Sequence, residues 1–396
     1  MYSCTIIGLS DSQRQWFQSD VAYVIAQGKI FSGGIRHHEL VKKMLPKDAV
    51  WIDVTVPLDD VYKEYEKYEE IIIFASGDPL FYGLAGTLKR VFPKTNIKVY
   101  PTFNSLQMLA HKMCLPYQDM HAVSLTGRPW KKFDEALIND EPLIGCLTDK
   151  RHTPHAIWQR MSLYGFDNYT MTVGENLGNE NKERIGFYDE TLDYAMPNCI
   201  ILQQKTARRK RLGIPDTEFY LLDGREKMIT KMPVRLATIC AMELHEKCSM
   251  WDIGFCTGSI SIEARLAFPH LDITAFEIRE EGKQLMEMNS RKHHAPGIVY
   301  TIADFTKLDI TPYPKPDAVF IGGYGGKMKE IIQKVYNILL PGGCIVFNSV
   351  SERSKEEFCL IAKDLSMKAE IVHTIKSDDN NPITILRAKK QDSKSI

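Results

Sequence analysis

The stretch Trp251-Asp252-Ile253-Gly254-Phe255-Cys256-Thr257-Gly258-Ser259 decides how the second half of this chain reads. An apolar run ends in an acid, a glycine-bearing turn follows, and the helical pattern Ser259–Ala267 begins at once. Such a strand–turn–helix brings backbone close to a bound nucleotide and aims helix N-terminal amides at it. A dinucleotide fingerprint would place glycine at 254, 256 and 259, but 256 is Cys and 259 is Ser. The nicotinamide reading therefore fails at two of its three glycines.

Working outward, the apolar runs Met250–Ile253, Ile273–Phe276, Val299–Ile302, Ala318–Ile321 and Ile345–Asn348 read as strands. Helical patterns at Ser259–Ala267, Glu280–Arg291, Met328–Leu340 and Lys355–Leu365 separate most of them, which predicts a mainly parallel sheet. Two last strands, Lys368–Thr374 and Ile383–Ala388, flank the turn signal Asp378-Asp379-Asn380-Asn381-Pro382 with no helix between them. A closing antiparallel hairpin is typical of class I methyltransferases and unusual in nicotinamide-binding domains.

Three acids fall at successive strand ends. Asp252 is placed for the amino-acid part of S-adenosyl-L-methionine, Glu277 for the ribose hydroxyls and Asp304 for the adenine edge. Alone, each acid reads as a solvated loop residue; together with Gly254, Cys256, Thr257, Gly258 and Ser259 they read as an adenosyl site. Cys256 stands where glycine is usual and reads as a small tolerated side chain, not a reactive thiol. Gly322-Gly323-Tyr324-Gly325-Gly326 leaves a side-chain-poor wall suited to a large flat acceptor, or merely a flexible loop. Lys227, Lys231 and Arg235 either pair with substrate carboxylates or are ordinary surface charge.

The first half also alternates short apolar runs with amphipathic stretches. Strands are predicted at Cys4–Leu9, Val50–Val54, Ile71–Phe74, Ile97–Tyr100, Ala122–Leu125, Leu143–Leu147, Tyr169–Val173 and Cys199–Gln203. Helices fit Tyr82–Phe92, Ser105–Met113 and Pro154–Tyr164, so an α/β domain with largely parallel pairing is expected. Lys205–Arg211 carries five basic residues in seven and marks the boundary. The expected division is a first domain over 1–204, a basic linker over 205–212, a second domain over 213–390 and a polar tail over 391–396.

The 50 basic and 50 acidic side chains cancel, which argues against a nucleic-acid partner. Nine scattered cysteines without a CxxC pair suit reduced thiols. No apolar run reaches the ~18 residues of a membrane span, and Met1–Ser10 lacks a basic segment before its apolar run. The cytoplasm is the expected compartment, and a homo-oligomer without a membrane partner is the expected state.

GIPDTEF (213–219), MITKMPVR (228–235), WDIGFCTGSISIEA (251–264) and PDAVFIGGYGG (316–326) together resemble the C15-methylating, decarboxylating precorrin methyltransferases of cobalamin biosynthesis. SGGIRHHEL (32–40), FASGDPLFYGLAGTL (74–88), PTFNSLQMLAHKMCLPYQDMHAVSLTGR (101–128) and VGENLG with Glu183-Arg184 resemble the precorrin C5-methyltransferases. The resemblance implies an N-terminal tetrapyrrole-methylase (class III) fold of two α/β lobes, followed by a class I Rossmann-like methyltransferase. It also implies a tetrapyrrole substrate, precorrin-6B or its cobalt form. The implied chemistry is methylation at C5 and C15 with loss of carbon dioxide from the C12 acetate. Gly77, Asp78 and Pro79 would shape the cofactor loop of the first domain, with Asp78 and Pro79 also suited to start a helix.

Lys231, Arg235, Arg36 and Arg128 are the candidates for holding acetates and propionates. The pairs His37-His38 and His293-His294 read as solvent-facing, and no metal site is expected. Two departures stand out. The family's first glycine-rich loop is reduced here to Gly8-Leu9-Ser10-Asp11-Ser12, and its Ser-x-His-Gly-Arg appears as Ser124-Leu125-Thr126-Gly127-Arg128. The alternatives are an enzyme active only in its C15 half, a nicotinamide oxidoreductase and an adenosyl-binding sensor without turnover.

Overall fold

A computed structural model describes residues 3–209, 211–225, 227–376 and 382–391. Its chain forms two compact units: Met1–Pro129 with Glu141–Trp158 and Asn168–Thr206, and Trp130–Asp140 with Gln159–Asp167 and Ala207–Ile396. No helix among the described residues is long and apolar enough to cross a membrane.

The first unit carries two five-stranded sheets. One is built from β1 (Ser3–Leu9), β2 (Ile30–Gly33), β3 (Val50–Asp53), β4 (Glu70–Ser76) and β5 (Asn96–Tyr100) in the order β3-β2-β4-β1-β5, all parallel. Its central strands are apolar on both faces: Cys4, Ile6, Ile7 and Leu9 of β1 and Ile71 to Ala75 of β4 are all buried. That is why they read as continuous apolar runs.

The second sheet is built from β6 (His121–Ser124), β7 (Leu143–Leu147), β8 (Tyr169–Glu175), β9 (Arg184–Phe187) and β10 (Asn198–Gln204) in the order β6-β7-β10-β8-β9. Only β6 and β7 run parallel; every other neighbour is antiparallel. The expectation of largely parallel pairing therefore holds for the first sheet and fails for the second. The connection 176–183 is shorter than the dozen or more residues of a parallel crossover, so β9 returns antiparallel beside β8.

The second unit holds one seven-stranded sheet. It comprises β11 (Ser249–Ile253), β12 (Asp272–Glu277), β13 (Val299–Ile302), β14 (Ala318–Ile321), β15 (Cys344–Ser349), β16 (Lys368–Ile375) and β17 (Ile383–Lys389). The order is β13-β12-β11-β14-β15-β17-β16, parallel through β15 and then closed by antiparallel β17 and β16. The closing hairpin is present, with β17 inserted between β15 and β16. The turn residues 378–381 and the tail 392–396 lie outside the described residues, as does Lys210 of the basic linker.

One face of this sheet packs Trp251, Phe276, Phe305, Phe347 and Phe358 into an aromatic core. Trp251 is fully buried, and its Nε1–H donates to the Pro314 carbonyl at 3.1 Å. The polar edge of the ring is thereby satisfied inside apolar packing. Strand order reverses between β11 and β14, and ligands of open parallel sheets bind beyond the carboxyl ends at such a switch point.

Candidate functional site

The turn after β11 lies at that reversal. Gly254 has φ +77°, and a Cβ there would meet the Gly323 backbone nitrogen at 2.5 Å. Only hydrogen fits, so this glycine lets the β11 and β14 ends approach each other. Gly258, with φ +74°, would likewise drive a Cβ to 2.8 Å from the Met286 side chain. Between them Cys256 holds φ +49°, an unfavourable region for a residue with a Cβ. Two contacts hold it there: its N–H donates to Glu277 Oε2 at 2.9 Å, and its thiol donates to the Met228 carbonyl at 3.2 Å. Burial, reinforced by the Glu277 carboxylate, raises the Cys256 pKa and keeps the thiol protonated.

Two cavities, about 690 Å³ and about 140 Å³, open over these strand ends and share Gly254, Gly323 and Arg279 in their linings. Lys227, Lys231, Asp252, Thr257, Ser259 and Asn348 supply polar groups to the larger one, and Gly322 also lines it. Two of its side chains have buried atoms without a hydrogen-bond partner, Asp252 Oδ1 and Thr257 Oγ1. The other Asp252 oxygen accepts from Ser261 Oγ at 2.6 Å. Burial, with a smaller push from Glu277, raises the Asp252 carboxyl to about 7. Orphaned buried polar atoms beside a cavity call for a polar ligand. The ammonium and carboxylate of an adenosyl amino acid supply such groups.

Glu277, Asp304, Arg279, Phe305, Tyr324 and Lys327 line the smaller cavity. Glu277 Oε1 accepts from the Ile278 N–H, the Arg279 N–H and Arg279 Nη1, each at 3.0 Å, while Oε2 takes the Cys256 N–H. The acid predicted for the ribose thus also ties the end of β12 to the glycine turn. Asp304 accepts from Thr306 N (3.0 Å) and Thr306 Oγ1 (2.7 Å) and pairs with Lys327 at 2.9 Å. The Thr306 and Lys327 bonds hold its carboxyl well below the usual carboxylate range.

Arg235 is a correction. Its side chain is fully buried. It bonds Glu263 at 3.0 Å, Asp216 at 3.3 Å, the Thr230 carbonyl at 2.8 Å and the Ile214 carbonyl, and it lies over the Phe219 ring. Its donors are committed to holding residues 214–230 against the helix Ser259–Ala267 that carries Glu263, so it is not open to a substrate carboxylate. Lys231 lines the larger cavity, half-exposed, with Asp216 at 3.6 Å. Gly258 does not line the cavity and acts through the shape of the turn. Arg279 and Asn348 were missed on sequence. The only signal for Arg279 is a cation two residues past a strand-end acid, and Asn348 ends an apolar strand like many amides that cap nothing.

In the first unit a cavity of about 520 Å³ lies over the carboxyl ends of β1 and β4. Gly77, with φ +63°, faces Gly8 so closely that a Cβ on Gly8 would sit 2.0 Å from the Gly77 carbonyl oxygen. This explains why Gly8 survives in the reduced first loop. Asp11, also from that loop, lines the cavity and pairs with Arg36 at 2.8 Å. Arg36 also donates to Ser76 Oγ at 2.8 Å.

Asp78 and Pro79 do not start a helix. Asp78 accepts from the Leu80 N–H at 2.8 Å in a side-chain turn, and the helix begins only at Leu84 with Gly83 before it. Neither residue lines the cavity, whereas Ser76 and Gly77 do. Arg128 is outside the lining; it donates to Ser124 Oγ at 2.8 Å and lies over Tyr82, which does line it. His37 is part-buried in this cavity rather than solvent-facing. It takes the Gly34 N–H on Nδ1, and burial together with Arg36 pushes it down to about 4. No group of three or more metal-ligating side chains occurs among the described residues.

Comparison with known proteins bears on the family of this chain. Residues 218–390 match the sequence model of the precorrin methyltransferase domain. A precorrin-6Y C(5,15)-methyltransferase [decarboxylating] of Sinorhizobium is 27% identical over 88% of this chain and 84% of its own. A cobalt-precorrin-6B C(15)-methyltransferase (decarboxylating) of Salmonella typhimurium is 35% identical over 34% of this chain and 68% of its own. The crystal structure of a precorrin-6y C5,15-methyltransferase of Geobacter metallireducens is 31% identical, with TM-score 0.41, over 46% of this chain and 98% of that one. With the glycine turn, the strand-end acids and the closing hairpin in place, the chain belongs to the precorrin-6Y C5,15-methyltransferase (decarboxylating) family.

Proposed function

We propose that this chain methylates a precorrin twice, at C5 in the first unit and at C15 in the second, with loss of carbon dioxide from the C12 acetate. S-adenosyl-L-methionine is the methyl donor in both. The observation that carries the reading is the pair of cavities that share Gly254, Gly323 and Arg279 at the β11/β14 reversal, with unpartnered Asp252 Oδ1 and Thr257 Oγ1 beside the glycine turn. Asp252 and Thr257 would hold the amino-acid end of the donor, Glu277 the ribose, and Asp304 with Lys327 the adenine edge. In the first unit, Ser76 and Gly77 with the Leu9–Asp11 loop would take the same part.

When bound, the donor supplies an electrophilic methyl on sulfur, so the protein needs no nucleophile of its own. Its residues fix the acceptor carbon in line with that methyl and keep water out, which is how such transfers are accelerated. Among the described residues, Lys227, Lys231 and Arg279 give the larger cavity three cations against the single acid Asp252. That balance suits the carboxylates of a tetrapyrrole. Arg36 is the corresponding cation of the first unit, and Arg128 acts there through Tyr82. A cytoplasmic homo-oligomer is part of this reading.

The test is incubation of the purified protein with precorrin-6B and S-adenosyl-L-methionine, followed by mass spectrometry. Two methyls gained and one carbon dioxide lost is the expected product. One methyl with decarboxylation would restrict the activity to the second unit, and no turnover would leave a sensor.

A further inference from the structure

The larger cavity has two chemically different sides. Its charged groups are Asp252, at the end of β11, and Lys227, Lys231 and Arg279, which lie outside the strands. Among the described residues, the rest of its lining is largely apolar, with Val234 from the helix Met232–Ala241, Phe320 of β14, and Val350, Ile375 and Ile383 beyond β14, while Asn348 supplies an amide. Asn348 belongs to β15, on the opposite side of β14 from β11 and β12, which carry Asp252 and Glu277. It therefore faces the acceptor half of the cavity.

The orientation of this amide follows from counting hydrogens. Thr238 is fully buried, and its Oγ1 lies 2.7 Å from the Val234 carbonyl, 3.1 Å from Asn348 Oδ1 and 2.9 Å from Asn348 Nδ2. A hydroxyl has one hydrogen. The shortest contact takes it, to Val234 within the same helix, so Thr238 receives one N–H of Asn348 on its lone pair. The second N–H of Asn348 has no acceptor among the described residues. Thr238 thus turns one preset, neutral donor toward the cavity.

We propose, on the reading above, that Asn348 holds the acetate carboxylate that departs as carbon dioxide, while Lys227 and Lys231 hold side chains that remain. A carboxylate paired with a lysine is stabilised and resists losing its electrons. One held by a neutral amide against an apolar wall is oriented without that stabilisation, so less ground-state binding opposes bond breaking. In the step, the bond between the acetate methylene and its carboxyl carbon breaks and the electron pair moves into the conjugated macrocycle. Carbon dioxide leaves, and a proton from water completes the new methyl group. Asn348 is a catalytic residue in this scheme; Thr238 is a positioning residue.

The full-length protein and its Asn348→Ala, Asn348→Asp and Thr238→Val variants are given precorrin-6B and S-adenosyl-L-methionine. Product masses report methylation and decarboxylation separately. Asn348→Ala is expected to lower decarboxylation relative to C15 methylation about tenfold or more, through loss of the orientation that the amide gives the departing carboxylate. Asn348→Asp is expected to lower it further through like-charge repulsion, and Thr238→Val to a smaller extent. Calorimetry that still finds two S-adenosyl-L-methionine sites per chain with unchanged affinities in all three shows that each variant folds in both units. Decarboxylation and methylation falling together, or neither changing, overturns the assignment. Failure of the unsubstituted protein to methylate or decarboxylate the precorrin overturns the functional reading itself, so the two failures are distinguishable.

Discussion

At the scale of single residues, Arg235 and Asp252 carry the most information. Arg235 is fully buried between Glu263 and Asp216. Its replacement by Met should cost about 3–5 kcal/mol, because Glu263 would remain buried without its partner. Denaturant midpoints measure that loss, and a surface cation would show almost none. Asp252 has a folded pKa of about 7 against an ordinary 3.8. A raised folded value means that its contribution to stability is present below about 3.8 and is lost as pH rises through about 7. Affinity for the donor should run the other way. The ammonium prefers a carboxylate, so binding should tighten as pH rises through about 7, and Asp252→Asn should flatten that profile by calorimetry. The strand-end positions of Asp252, Glu277 and Asp304 were legible from hydrophobic runs alone. The fate of Arg235 was not, since one basic residue in MITKMPVR looks like another until the fold sets Lys231 at the cavity and Arg235 beneath it.

At the scale of elements, apolar runs located the strands because central parallel strands are buried on both faces. Val299–Ile302 and Ala318–Ile321 were read to the residue. Two short strands, Ile30–Gly33 and Arg184–Phe187, escaped because polar residues and a glycine interrupt their apolar runs, unlike the equally short Val299–Ile302 and Ala318–Ile321. Pairing direction in the second sheet escaped because it depends on connection length rather than on strand composition. The junction of β11 with β14 makes a sharp demand on sequence: a Cβ at position 254 would lie 2.5 Å from the Gly323 nitrogen. Gly254→Ala should therefore part the two strand ends, abolish donor binding in the second unit and destabilise it by about 1–3 kcal/mol, read as a lowered melting temperature. β17 makes another demand, because it is an inner strand of the sheet although last in sequence. Leu386 is fully buried on it, so Leu386→Ala should cost about 2–5 kcal/mol by the same measurement.

At the scale of the whole molecule, the two larger cavities described are built on different topologies, one over the ends of a five-stranded parallel sheet and one over a seven-stranded mixed sheet. Each has its own glycine turn, at Gly77 and at Gly254, and among the described residues no lining residue is common to both. Two methyl transfers by one chain are then separable by substitution. Glu277 is the residue on which to separate them, because its carboxylate takes the Cys256 N–H as well as facing the smaller cavity. Glu277→Ala should deprive the glycine turn of its anchor and the ribose of its acceptor, weakening donor binding in the second unit about tenfold or more. The product of that variant with precorrin-6B should show the C5 methyl but neither the C15 methyl nor decarboxylation. Unchanged C15 methylation would remove Glu277 from the donor site. Loss of both methyls would mean that C5 methylation requires the product of the second unit, which supplying the C15-methylated, decarboxylated intermediate to the variant would reveal by restoring the C5 methyl.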